Sequence, residues 1–221
     1  MKVEKLVSKN QPHNWFQRIT NECSQEYPIH LVDIDANDVV IDLGCNVGGF
    51  SQAWNYRFHN ILAIDASLYN VEHYKSKHKN KVLHKAIYSK DGEIVKLKKY
   101  MVDGNDTNSG NFSITGFVYS HNNHGWGGDE YEEVETISLE TILQMVGGNI
   151  GLLKIDVEGA EVDALLNKDL SKIKYITGEF HNFLGKETQT KLFNWIENTH
   201  MELYSNGNGI SSHYQKLWKL R

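Results

Sequence analysis

Val40-Ile41-Asp42-Leu43-Gly44-Cys45-Asn46-Val47-Gly48-Gly49-Phe50-Ser51 is the stretch that decides the fold. Asp38–Leu43 is a short apolar run rich in β-branched residues, and it ends in turn residues. That pattern predicts a buried parallel strand. Residues 44–49 form the turn, and Phe50–Trp54 opens a helix. A second strand is expected at Asn60–Asp65, a helix at Leu68–His78 and a third strand at Val82–Tyr88. Strand, helix, strand, helix, strand is the rhythm of a doubly wound α/β sheet.

Further along, Gly92–Tyr100 alternates apolar and polar residues and reads as extended. Residues 103–128 are rich in Gly, Asn and Ser and also carry Phe112, Phe117, Tyr119 and Trp126. A loop this long in a compact domain is expected to act as a lid or binding loop. The α/β rhythm resumes with a strand at Thr136–Leu139, a helix at Glu140–Met145 and a buried strand at Gly151–Val157. A helix at Ala160–Leu166, a strand at Tyr175–Phe180 and an amphipathic helix at Lys186–Thr199 follow. Asn206-Gly207 between two strand-like runs, Met201–Tyr204 and Tyr214–Leu220, signals a hairpin. The last strand is therefore expected to be antiparallel and to lie at the edge of a mostly parallel sheet.

The chain has 221 residues, which suits one domain with a lead-in at 1–35 and an inserted loop at 103–128. Its net charge of −5 gives no global electrostatic case for nucleic-acid binding. Lysines are dense from Lys75 to Lys99 and acids from Asp129 to Glu135; both read as solvated faces. Two cysteines without a CxxC pair read as reduced thiols, and the start of the chain has no apolar signal core. A cytoplasmic protein that uses neither membrane nor nucleic acid is expected.

Three places carry chemistry. The first is the glycine turn, whose backbone can approach a nucleotide-type cofactor. Asp65 ends the second strand 23 positions after Asp42, where an acid can accept hydrogen bonds from ribose hydroxyls. A dinucleotide fingerprint would want glycine at Asn46. The second is Lys154-Ile155-Asp156-Val157-Glu158-Gly159-Ala160-Glu161, which packs three carboxylates into six positions at a strand end. Such crowding needs a cation, a base role or solvent to balance it. Glu161 reads either as charge complementing a helix dipole or as part of the site. The third is Glu179-Phe180-His181-Asn182 at the next strand end. His181 reads either as a general base or as an oriented neutral wall residue. His121 and His124 in the long loop read as polar loop residues rather than metal ligands.

Three strings resemble the FkbM-type methyltransferases: residues 40–51, Ala86–Gly92 and Leu153–Glu161, within a likeness spanning about residues 35–205. The resemblance implies an S-adenosylmethionine-dependent enzyme with a Rossmann-like class I methyltransferase sheet of seven strands, the last reversed. It implies that Asp42, Gly44, Cys45, Asn46 and Gly48 lie along the methionine part of the cofactor. It also implies that Asp65 binds the ribose, with Ala66 and Ala86 nearby. Cys45 stands where the family usually has alanine, Asp65-Ala66-Ser67 where Glu-Pro-Asn is common, and Ser138-Leu139-Glu140 where Thr-Leu-Asp is usual. The expected activity is O-methylation of a carbohydrate or other small hydroxylated acceptor. Asp156, Glu158 and His181 are the candidates for removing the acceptor's proton. No metal is expected, so turnover should withstand EDTA. The alternatives are an NAD-dependent oxidoreductase, a non-catalytic module that binds an adenosyl ligand or glycan, and, on the lysine stretch alone, nucleic-acid methylation.

Overall fold

A computed structural model describes residues 15–98, 131–181, 185–207 and 213–221. The long loop at 103–128, with His121 and His124, lies outside them, as does Asn182.

Helix α1 (Trp15–Glu26) and a 3₁₀ turn (Ile29–Leu31) lead into β1 (Val39–Leu43). Then come α2 (Gly49–Trp54), β2 (Asn60–Asp65), α3 (Leu68–Lys77), β3 (Lys81–His84), β4 (Ala86–Ile87) and β5 (Ile94–Lys98). The second half holds β6 (Tyr131–Ile137), α4 (Leu139–Val146), β7 (Ile150–Ile155), α5 (Glu161–Leu165), β8 (Ile173–His181), α6 (Lys186–Glu197), β9 (His200–Asn206) and β10 (His213–Leu220). Seven strands form one sheet in the order β3-β2-β1-β7-β8-β10-β9.

Both faces of that sheet are covered, which is why its central strands read as unbroken apolar runs. Strand alternation sends Ile41, Leu43, Leu153, Ile155 and Ile176 to one face, where they meet Leu139 and Ile142 of α4, Ala164 and Leu165 of α5, and Leu192 and Ile196 of α6. Val40, Ile61, Leu152, Tyr175 and Leu217 face the other way, against Tyr27, Ile29, Val32, Phe50 and Phe58. The doubly wound reading holds.

Two sequence expectations need correction. The final strand is antiparallel but not at the edge: β10 pairs antiparallel with both β8 and β9, and β9 is the edge. The hairpin folds back into the gap beside β8, where Leu217 and Trp218 are fully buried. The single strand expected at 82–88 is two strands. It breaks at Lys85; β3 completes the main sheet beside β2, while β4 pairs with β6 in a small sheet of order β4-β6-β5.

This small sheet also resolves the charged stretches. Lys96 of β5 lies opposite Glu133 of β6. Lys85 pairs with Glu135 at 2.6 Å, and His84 with Glu132 at 3.0 Å. Basic and acidic runs therefore neutralise one another locally. The small sheet is bolted to α4 by Asp91, whose carboxylate accepts from the Ser138 amide at 2.7 Å, the Ser138 hydroxyl at 3.0 Å and the Thr141 hydroxyl at 2.8 Å. Ser138 is also the N-cap of α4, so the departure at Ser138-Leu139-Glu140 keeps the hydroxyl that a cap requires.

Ser138→Ala should lower stability by about 1 kcal/mol, read as a shifted urea midpoint at unchanged m-value. The donors around Asp91 hold its carboxyl below the usual carboxylate range. Its contribution is therefore present above that range and lost as pH falls through its depressed value. Asp91→Asn should shrink the acid-induced loss of stability below about pH 4 in the same unfolding assay.

Candidate functional site

The carboxyl ends of the parallel strands open onto a cleft enclosing about 610 Å³ of space, part of it open to solvent. Gly44 and Asn46 line it from the turn after β1, and Ile64, Asp65 and Ala66 from the end of β2. Asn70, Lys85, Ala86, Ile87 and Leu97 form another wall, and Asp156, Val157, Glu158 and Ala160 close it after β7.

The turn keeps its shape for steric reasons. Gly44 has φ +73°, and a Cβ there would stand 1.8 Å from the Asp156 carbonyl oxygen, so the two strand ends touch only because Gly44 has no side chain. Asn46 also has a left-handed backbone, φ +51°, which asparagine tolerates. Its side-chain Oδ1 accepts from the Val47 amide at 2.7 Å. Asp65 then fixes the turn from the side, accepting from the Asn46 amide at 2.8 Å, the Ser67 amide at 2.8 Å and the Asn70 side-chain amide at 3.1 Å. Burial pushes the Asp65 carboxyl up to about 6 despite these donors.

Beneath the turn lies an ion pair. Asp42 and Lys154 are opposite each other on neighbouring parallel strands. The Lys154 ammonium stands 3.0 Å from Asp42 and donates to the Gly44 carbonyl at 2.8 Å. Asp42 is 0 % exposed and Lys154 3 %. Burial opposes the charge on Lys154, but Asp42 and Asp156 outweigh it and raise its pKa. Tyr27, arriving from the lead-in, places its ring 5.7 Å from that ammonium and donates its hydroxyl to Asp156 at 3.2 Å.

At the opposite end of the cavity stand the carboxylates. Glu158 has φ +51° and Gly159 φ +101°, so the Asp156–Gly159 turn is wound against the ordinary preference of a glutamate. Glu161, 2 % exposed, accepts from the Gly159 amide at 3.1 Å and lies 2.9 Å from His181 Nδ1. His181 Nε2 is 3.4 Å from Glu158 and 3.9 Å from Glu179. Burial and the charge of Asp156 raise Glu158 to about 8, against the pull of His181. Burial would lower His181, yet the hydrogen bond and charge of Glu161, with Glu158 and Asp156, push it up to about 10.

Of the residues singled out in the sequence, Gly44, Asn46, Asp65, Ala66, Ala86, Asp156 and Glu158 meet at the cavity. Four sit behind its wall. Asp42 faces Lys154; Cys45 is buried with Ala63 and Tyr74; Gly48 caps α2 against His78 and Tyr74; and His181 is held by Glu161. Sequence reasoning missed Ile64, Asn70, Lys85, Ile87, Leu97, Val157 and Ala160 as lining residues. Asn70 had a findable signal, since it follows Asp65 by five positions in the first turn of α3. Tyr27 had none, being 129 residues from Asp156.

Removing one partner of a buried ion pair leaves an uncompensated charge. Lys154→Met should therefore destabilise the protein by about 3–5 kcal/mol, and the double variant Asp42→Asn with Lys154→Met should recover part of that loss in the same denaturation experiment.

The family model for the Methyltransferase FkbM domain matches residues 33–208. No curated protein sequence matches the chain significantly. Among solved structures, the FkbM methyltransferase of Methylobacillus flagellatus KT superposes with a TM-score of 0.54 at 12% identity, covering 89% of this chain and 47% of that one. This chain thus spans about half the length of that relative. An rRNA methylase from Streptococcus thermophilus gives a TM-score of 0.48 at 8% identity, covering 97% and 99% of the two chains. The likeness to the first structure is one of fold; the match over residues 33–208 carries the assignment, and by it this chain belongs to the FkbM methyltransferase family.

Proposed function

We propose that the protein transfers a methyl group from S-adenosylmethionine to a hydroxyl of a small, carbohydrate-like acceptor. The observation that carries this reading is one cavity with two chemically different ends. At one end, Asp65 sits among the turn amides, where an adenosine's ribose hydroxyls would donate to it. At the other, Glu158 and Asp156 line the wall where an acceptor hydroxyl would lose its proton.

Methyl transfer is an in-line displacement. The acceptor oxygen forms its bond to the methyl carbon as the carbon–sulfur bond breaks, and the sulfur leaves neutral as S-adenosylhomocysteine. The acceptor proton must go to a base. Glu158 fits that role best, because a carboxylate raised toward neutrality is a stronger base than an ordinary one. His181 is held at Nδ1 by Glu161 and keeps its proton to high pH, so it orients and polarises rather than accepts. Alignment and exclusion of water supply the rest.

An NAD-dependent oxidoreductase on the same sheet is the weaker reading, since Asn46 stands where a pyrophosphate site wants glycine. A non-catalytic binding module would form no S-adenosylhomocysteine with any acceptor. A cytoplasmic setting fits the same reading; no helix among the described residues is long and apolar enough to cross a membrane.

S-adenosylhomocysteine affinity, measured by calorimetry, should fall by roughly 10–150-fold in Asp65→Ala, the loss of a charge-assisted hydrogen bond. The ionised carboxylate is the form that accepts from ribose hydroxyls. Wild-type affinity should therefore weaken as pH drops below about 6, while Asp65→Asn should bind weakly with no such dependence.

With an acceptor identified from a panel, Glu158→Gln should lower kcat by roughly 100- to 10,000-fold. It should also remove the acid limb of the rate profile, which in the wild type rises as Glu158 deprotonates near pH 8. An unchanged kcat would exclude Glu158 as the base.

A further inference from the structure

Beside the proposed base, at the acceptor end of the cavity, three more side chains stand close together. Asp156 follows β7, while Glu179 and His181 lie two apart on β8 and so share a face of the sheet. Each offers one ligand atom, and the three atoms lie within 4.8 Å of one another. Ligands of one common ion at about 2.1 Å stand no more than roughly 4.2 Å apart, so a small inward movement closes the set.

The histidine is oriented for such a role. Its ring is 5% exposed, and Nδ1 is 2.9 Å from Glu161, itself buried. Nε2 is thereby turned toward the carboxylates. A metal-bound imidazole is characteristically held in this way, one ring nitrogen on a carboxylate and the other on the ion. Four carboxylates, those of Asp156, Glu158, Glu161 and Glu179, stand around this one imidazole.

We propose that Asp156, Glu179 and His181 form a divalent-cation site. Two carboxylate oxygens and Nε2 are the ligands, the ion taking the place of the Nε2 proton, which is released to solvent on binding; the remaining coordination positions are left to water or to acceptor oxygens. One nitrogen with two oxygens suits Mn²⁺ better than Mg²⁺ or Ca²⁺, which take oxygen ligands. Glu161 acts as a positioning residue that sets the imidazole. Glu158 is outside the ligand set and remains the proposed base. A site of this kind reverses the expectation that turnover withstands EDTA. It stands apart from the methyl-transfer reading, because the ion would bind without cofactor or acceptor.

The test is titration of the full-length protein with Mn²⁺ alone, following free Mn²⁺ by electron paramagnetic resonance. One ion per chain is expected. Asp156→Asn combined with Glu179→Gln should weaken it at least 100-fold, and Glu161→Gln by about 10–100-fold. Circular dichroism and the urea unfolding midpoint report that each variant is folded. Wild-type protein that takes up no stoichiometric Mn²⁺ at millimolar concentration overturns the proposal. So does binding that is unchanged in the folded double variant.

Discussion

The Asp42–Lys154 pair is the constraint on which the site depends. An ammonium at the centre of a covered sheet is costly unless it is paired and hydrogen-bonded on several sides. Here Asp42, the Gly44 carbonyl and the Tyr27 ring share that task. In doing so Lys154 links β7, β1, the glycine turn and the lead-in. The turn is thus fixed from below by a charge and from the side by Asp65. A cavity floor held in this way can present backbone amides without rearranging when a ligand arrives, which is what a preorganised site requires.

The two ends of the cavity use carboxylates in opposite ways. Asp65 is surrounded by N–H donors that favour its charged form, although burial works against it. Glu158 and Glu179 are half-buried among other acids, with the His181 imidazole beside them. The first arrangement suits a hydrogen-bond acceptor that stays ionised; the second suits proton exchange or a cation. Left-handed backbone at Asn46 and Glu158 marks both ends. Strain of that kind persists only where the surroundings over-determine it. At Asn46 the Asp65 carboxylate does so, and at Glu158 the Glu161 carboxylate bound to the Gly159 amide.

The small sheet has a structural logic of its own. It continues directly from β3 through Lys85, so the cavity gains Ala86, Ile87 and Leu97 from an element outside the main sheet. Asp91 joins the string at 86–92 to the cap of α4. Two motifs that look separate in the chain are therefore two halves of one contact.

By itself, the sequence determined the strand and helix order, the glycine turn, and the placement of Asp65, Asp156 and Glu158 at strand ends. Those features are local: a β-branched apolar run, a glycine cluster and an acid at a fixed spacing carry their meaning within a few residues. The tertiary structure decided the partners. Lys154 looked like one residue of a motif, and only the β1–β7 register sets it against Asp42. Tyr27 reaches Asp156 from 129 residues away, and β10 enters beside β8 instead of lying at the edge. His181 could be read as base or wall until Glu161 was seen 2.9 Å from Nδ1. Pairings of this kind follow from sheet order and register, and a single strand's pattern encodes which face a residue takes, not which neighbour it meets there.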